Sequence, residues 1–117
     1  MAYVDGFVLP VLKDKIELYK EKSRAVGELY KKYGALSYVE CAADDVPYGE
    51  LTSFPRAVQA TSEEIVVFSW ITYESRQQRD AIQAKVMADP RMGEICADLP
   101  VDGKRMIFGG FDAFLQM

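Results

Sequence analysis

The chain has 117 residues, half of them apolar, with 14 basic against 18 acidic side chains and a net charge of −4. That length suits one domain, spanning 1–117, and the acidic balance argues against a nucleic-acid partner, because phosphate backbones demand a basic surface. The absence of histidine excludes His-ligated haem or zinc, any imidazole general base, and every Ser-His or Cys-His nucleophile pair.

Residues 3–11 are apolar and β-prone, with Pro10 near their end, and predict a first strand. The period then changes. Leu12, Ile16, Tyr19, Val26, Tyr30 and Tyr33 fall on one helical face, while Lys20, Glu21, Arg24, Glu28, Lys31 and Lys32 fall on the other, predicting a helix over 13–33. Gly34 suits the position that ends it. Residues 35–43 read as a second strand, broken by Asp44, Asp45, Pro47 and Gly49. The stretch 44–62 is long for a connection, and Pro55 opens a short helical turn within it through Gln59.

Residues 64–73 form the clearest strand. Ser75 is placed to cap a helix over 76–88 with Ile82 and Val86 turned inward. Asp89-Pro90 starts a short helix to about Ala97, Asp102-Gly103 marks a turn, and residues 105–111 form a last strand. The resulting order, βαββαβ with one short extra helix, predicts an α+β ferredoxin-like sandwich. Its four-stranded antiparallel sheet carries the helices on one face, in the strand order 4-1-3-2.

Alternation along the strands separates two sets. Val4, Gly6, Val8, Val39, Cys41, Val67, Ile71 and Ile107 are small and aliphatic and are expected beneath the helices. Tyr3, Asp5, Phe7, Leu9, Tyr38, Glu40, Phe68, Trp70, Thr72, Met106 and Phe108 are expected on the other face. A face so aromatic would not be left in water, and a second copy is the simplest cover. The expectation is therefore a homodimer of facing sheets, a dimeric α/β barrel. Gly109-Gly110 is expected at a bulge or close contact in that interface, and the apolar tail Phe111, Phe114, Leu115 and Met117 is expected to dock on the body or the partner.

Candidate chemistry concentrates on the aromatic face. Asp5 and Glu40 are the candidate catalytic carboxylates, since a buried carboxylate can move a proton. Tyr38, Trp70, Phe68 and Arg105 are the candidate ligand-binding residues, as pocket walls and a polar handle. The competing reading makes this face plain interface, with Glu40 paired to an arginine such as Arg105 across the dimer. Glu40, Cys41, Asp44 and Asp45 resemble an acidic metal cluster, but Glu40 and Cys41 have opposite parity on a strand and cannot converge. No metal and no cofactor are expected. No apolar run approaches the ~18 residues of a membrane span, no signal peptide is recognisable, and two scattered cysteines suit a reducing cytoplasm.

Several stretches resemble one family. They are Tyr3-Val4-Asp5-Gly6-Phe7-Val8, Tyr38-Val39-Glu40-Cys41 with Asp44-Asp45-Val46-Pro47, Val67-Phe68-Ser69-Trp70-Ile71, Lys85-Val86-Met87-Ala88-Asp89-Pro90-Arg91, and Asp102-Gly103-Lys104-Arg105-Met106-Ile107 with Gly109-Gly110-Phe111. Together they are similar to the YbaA-like family (domain-of-unknown-function family 1428), small bacterial proteins placed among the dimeric α/β-barrel proteins. The resemblance implies the fold and the dimer, and it carries no catalytic residues, because the family has no assigned reaction. Two functional readings remain at this point. One is a dimer that binds or transforms a small molecule in a pocket on the aromatic face. The other is a non-enzymatic homodimer that acts through protein–protein contacts, using the stretch 44–62.

Overall fold

The central strands are the most hydrophobic segments, and the rest of the chain is arranged around them. In a computed structural model describing residues 2–117, β1 (Tyr3–Leu12) pairs antiparallel with β3 (Glu64–Tyr73) on one side and β4 (Ile107–Asp112) on the other. The strand β2 (Ser37–Ala42) completes the far edge against β3. The sheet order is β2-β3-β1-β4, as the sequence pattern predicts. Pairing of β1 with β4 stops at Val8. Pro10 therefore lies where β1 has one free edge, the setting in which a missing N–H is tolerated.

Helix α1 (Ile16–Lys32) follows a single 3-10 turn at Lys13–Lys15. Its buried stripe is Tyr19, Ser23, Gly27 and Tyr30, the i, i+4 rows of one face. It ends in a Schellman motif. The Gly34 N–H donates to the Lys31 carbonyl and the Ala35 N–H to the Tyr30 carbonyl, with Gly34 at φ 115°, a conformation glycine adopts without steric cost. The short α2 (Phe54–Ala57) is capped by Ser53. Helix α3 (Arg76–Ala88) is capped by Ser75, whose hydroxyl accepts from the Gln78 N–H, and α4 (Pro90–Cys96) by Asp89, which accepts from the Arg91 N–H.

Helices α1, α3 and α4 lie on one face of the sheet. Beneath them Leu29, Tyr30, Ile82 and Val86 pack on Tyr3, Ile71 and Tyr73, and Tyr19 packs on Leu9, Val11 and Val67. On the opposite face only a small cluster forms, where Val58, beyond α2, covers Val8 and Val66.

The register corrects the expected faces. Asp5 lies opposite Ile71, Phe7 opposite Ser69 and Leu9 opposite Val67, while Tyr38 and Glu40 face Ile71 and Ser69 from the other side. Asp5, Phe7, Leu9, Tyr38 and Glu40 therefore belong beneath the helices, with Phe108 opposite Phe7 on the same side. Val4, Gly6, Val8, Val39, Cys41 and Ile107 belong to the helix-free face, with Phe68, Trp70 and Thr72. The expected assignment holds for β3 and is inverted for β1, β2 and β4. Alternation shows which residues of one strand share a side, but the phase between strands comes from pairing register. Here large residues of β1 and β2 fill the layer under the helices. Phe68 and Trp70 of β3 stand on the other face beside the small residues Gly6, Val39 and Cys41.

Two further expectations change. A Cβ at Gly110 would collide with the Tyr3 hydroxyl, so this glycine serves close packing within the chain, in an unbulged β1–β4 ladder. Phe114 and Leu115 remain exposed, so the tail does not dock on its own body.

Candidate functional site

A cavity of about 310 Å³ lies between the sheet and its helices. Its floor is Phe7 and Leu9 of β1, Tyr38 and Glu40 of β2, and Ser69 and Ile71 of β3. Tyr19, Ser23, Val26 and Tyr30 of α1 form one wall, and Gln83, Met87 and Met92 of α3 and α4 another. The segment between α4 and β4 closes the remainder with Leu99, Val101 and Met106. Phe108 also lines the cavity and is 70% exposed, so the cavity reaches the surface at the β4 edge. The volume is at the lower end of small-molecule sites, which run from roughly 300 to 1,000 Å³ and are mostly apolar with a few convergent polar groups.

Glu40 is the acidic group of this cavity, and two tyrosines hold it. Tyr19, from the buried stripe of α1, donates its hydroxyl to Oε1. Tyr38, two residues earlier on the same face of β2, donates to Oε2 at 2.7 Å. Burial, reinforced by the negative charge of Glu40, pushes both phenol pKa values far above their ordinary value, so both remain protonated donors. The Tyr38 ring is wedged between Tyr30, with ring centroids 6.0 Å apart, and the bare backbone of Gly27, where a Cβ would lie 2.7 Å from the ring. Each carboxylate oxygen thus has one fixed donor, and the remaining lone pairs are free for a ligand.

The other candidate residues are distributed differently. Asp5 shares the helix-side face with Glu40 but does not line the cavity. It is 6% exposed and bound by Arg79 Nη1 at 2.6 Å and by the Tyr73 hydroxyl at 3.1 Å, a closed ion pair of the core. Burial, and after it the charge of Asp5, raises the Tyr73 pKa.

Arg105 does not meet Glu40. It makes a bidentate pair with Glu64, at 2.8 and 2.6 Å, and donates to Asp102 at 2.7 Å and to the Gln59 carbonyl. The bidentate pair, helped by the Thr61 N–H, holds the Glu64 carboxyl pKa down at about 2. The arginine ties the segment that carries Val101 and Met106 to the start of β3, so it positions a cavity wall.

Phe68 and Trp70 pack on each other, centroids 5.6 Å apart, with Phe54 edge-on to Phe68. They stand on the helix-free face, although Trp70 borders the cavity where β3 forms its floor. Of the four residues expected to form one pocket, Tyr38 and Trp70 line this cavity together with Glu40, and Phe68 and Arg105 do not. Tyr19 was legible as a sheet-facing helical residue, but nothing along the chain paired it with Glu40. Ser23, Gln83, Met87 and Met92 carried no signal of their own.

On the helix-free face Phe68, Ile107 and Phe111 are 42%, 46% and 64% exposed. Beside them a shallower hollow of about 250 Å³ is lined by Cys41, Val46, Phe54 and Phe68. Among the described residues, no helix is long and apolar enough to cross a membrane.

Comparison with known proteins adds the family and the fold. The chain is 51% identical over 116 residues to the uncharacterized protein YbaA of Escherichia coli strain K12, covering 99% of both chains, and equally to that of Shigella flexneri. Among solved structures, a dimeric ferredoxin-like protein from an uncultured marine organism superposes with a TM-score of 0.65 at 10% identity, covering 98% of this chain and 97% of that one. An uncharacterized NIPSNAP domain protein from Burkholderia xenovorans gives 0.60 at 13% identity, covering 98% and 99%. At these identities the likeness is one of fold, and it places the chain with the ferredoxin-like α+β proteins that the sequence order predicts. With residues 2–103 matching the family model described as protein of unknown function (DUF1428), and with relatives at this identity over the whole chain, the protein belongs to that family.

Proposed function

We propose that this protein binds a small, largely apolar molecule in the cavity beneath its helices, as one half of a homodimer joined through the helix-free sheet faces. The observation that carries the reading is Glu40. Its carboxylate is held by two tyrosine hydroxyls at the floor of a cavity whose other walls are mainly aromatic and aliphatic. Even half-buried, a carboxylate in such surroundings is costly, and packing alone would be served better by an apolar residue. As a proton acceptor already fixed in place, it suits orientation of a ligand or a proton transfer.

The exposed Phe68, Ile107 and Phe111 support the dimer, as does likeness to a solved protein described as dimeric and ferredoxin-like. Two free cysteines fit a reducing cytoplasm as its compartment. Contact with other proteins through the segment 44–62, where Leu51 is 88% exposed, is the second reading.

Native mass spectrometry of freshly purified protein tests the proposal. A dimer mass with a co-purified or titratable small molecule, lost in the cavity-filling Ser23→Phe variant, is expected. A bare monomer that shows no ligand-induced thermal shift refutes it.

A further inference from the structure

The electrostatics of the cavity are one-sided. Among the described residues its lining contains one carboxylate and no lysine or arginine, and the chain has no histidine. Several cations on the surrounding elements are committed elsewhere, and none lines the cavity. Lys22 of α1 pairs with Asp98, Arg79 of α3 with Asp5 and Asp80, Arg91 of α4 with Asp89, and Arg105 with Glu64 and Asp102. The tyrosine hydroxyls hold Glu40 by hydrogen bonds but leave its charge uncancelled. Glu40 is half-buried, and a carboxylate partly screened from water attracts a cation more strongly than a fully exposed one does. The rings of Phe7 and Tyr30 in the lining add the quadrupole attraction that aromatic groups offer to ammonium groups.

We propose that the cavity selects a protonated amine carrying an apolar or aromatic body, with the ammonium on Glu40 and the body along Phe7, Val26 and Met87. A carboxylate or phosphate on the same skeleton meets a like charge and no compensating cation, so anions are excluded. This proposal rests on the ligand-binding reading above and gives that ligand its chemical class.

The test uses matched sets on two skeletons: phenylethylamine, phenylethanol and phenylpropionate, and hexylamine, hexanol and hexanoate. Each is titrated into the 117-residue protein by calorimetry. On at least one skeleton the amine should bind tenfold or more tighter than the alcohol, equivalent to about 1.4 kcal/mol, and the carboxylate should not bind. Glu40→Gln should abolish the amine preference while leaving alcohol affinity within about twofold. If Glu40→Gln folds poorly, Glu40→Met, which keeps the length without the charge, should likewise lose the preference. Alcohols binding as tightly as amines, or an amine preference surviving Glu40→Gln, overturns the amine assignment and leaves the cavity reading standing. Failure of all six to bind at millimolar concentration overturns both.

Discussion

Replacing Gly27 by alanine should destabilise the protein even though alanine is the better helix former. In the middle of α1 the substitution gains about 1 kcal/mol of helix propensity. The new Cβ, however, would lie 2.7 Å from Tyr38 Cδ1, 2.9 Å from Cε1 and 3.2 Å from Cγ. Those atoms belong to the body of a ring held by Tyr30 on one side and by its hydroxyl bond to Glu40 at its end, so the ring cannot swing aside without losing both contacts. Overpacking of this kind costs about 1–3 kcal/mol, leaving a net loss near 1 kcal/mol, or ~4 °C in Tm for a domain of this size. The assay is thermal and urea unfolding of Gly27→Ala in two backgrounds. In wild type the substitution should lower Tm. In Tyr38→Ala, where the ring is gone, it should raise stability by up to ~1 kcal/mol as the helix propensity reappears. A substitution that stabilises the wild type, or that destabilises both backgrounds equally, would refute the account of how Tyr38 is positioned.

Three other outcomes are expected. Asp5→Asn should cost about 3 kcal/mol in urea unfolding, the usual loss when one partner of a buried ion pair is removed, because it leaves Arg79 with only the exposed Asp80. Glu64, with its carboxyl lowered to about 2 by Arg105, contributes stability that is fully present above the unfolded value near 4.5. That contribution is lost as pH falls from there toward 2. The contribution is at most roughly 3 kcal/mol and is trimmed by solvent around the guanidinium. Tm measured from pH 6 to pH 2 should therefore fall less steeply for Arg105→Gln than for wild type, and parallel curves would dismiss the pair as a source of acid sensitivity. Phe111→Asp changes a side chain that is 64% exposed on the helix-free face. It should convert the proposed dimer to a folded monomer in light scattering, and an unchanged dimer mass would move the interface elsewhere.

Local chemistry made most of the elements legible. The 3–4 spacing from Ile16 to Tyr33, the Gly34 terminator, the Ser75 cap and the Asp89-Pro90 start each act within one or two helical turns, and each appears in the structure where the residues indicate. Strand order followed from the βαββαβ succession, since few topologies accommodate it. The site was only partly legible. That Tyr38 and Glu40 share a side of β2 follows from alternation, whereas Asp5 lies on another strand and shares that side only through the pairing register. Which side that is, and that Tyr19 would meet Glu40 across 21 residues of chain, does not.

The sequence by itself determined the elements, their order and the absence of imidazole chemistry, because propensity, capping and composition are carried by neighbouring residues. Only the tertiary structure decided the faces. Register between β1, β2 and β3 is a long-range pairing, and a one-residue difference in phase moves a whole strand's side chains through the sheet. That phase carried Glu40 from an expected interface into a cavity under the helices, on the opposite side of the sheet from Phe68, where two tyrosines hold it.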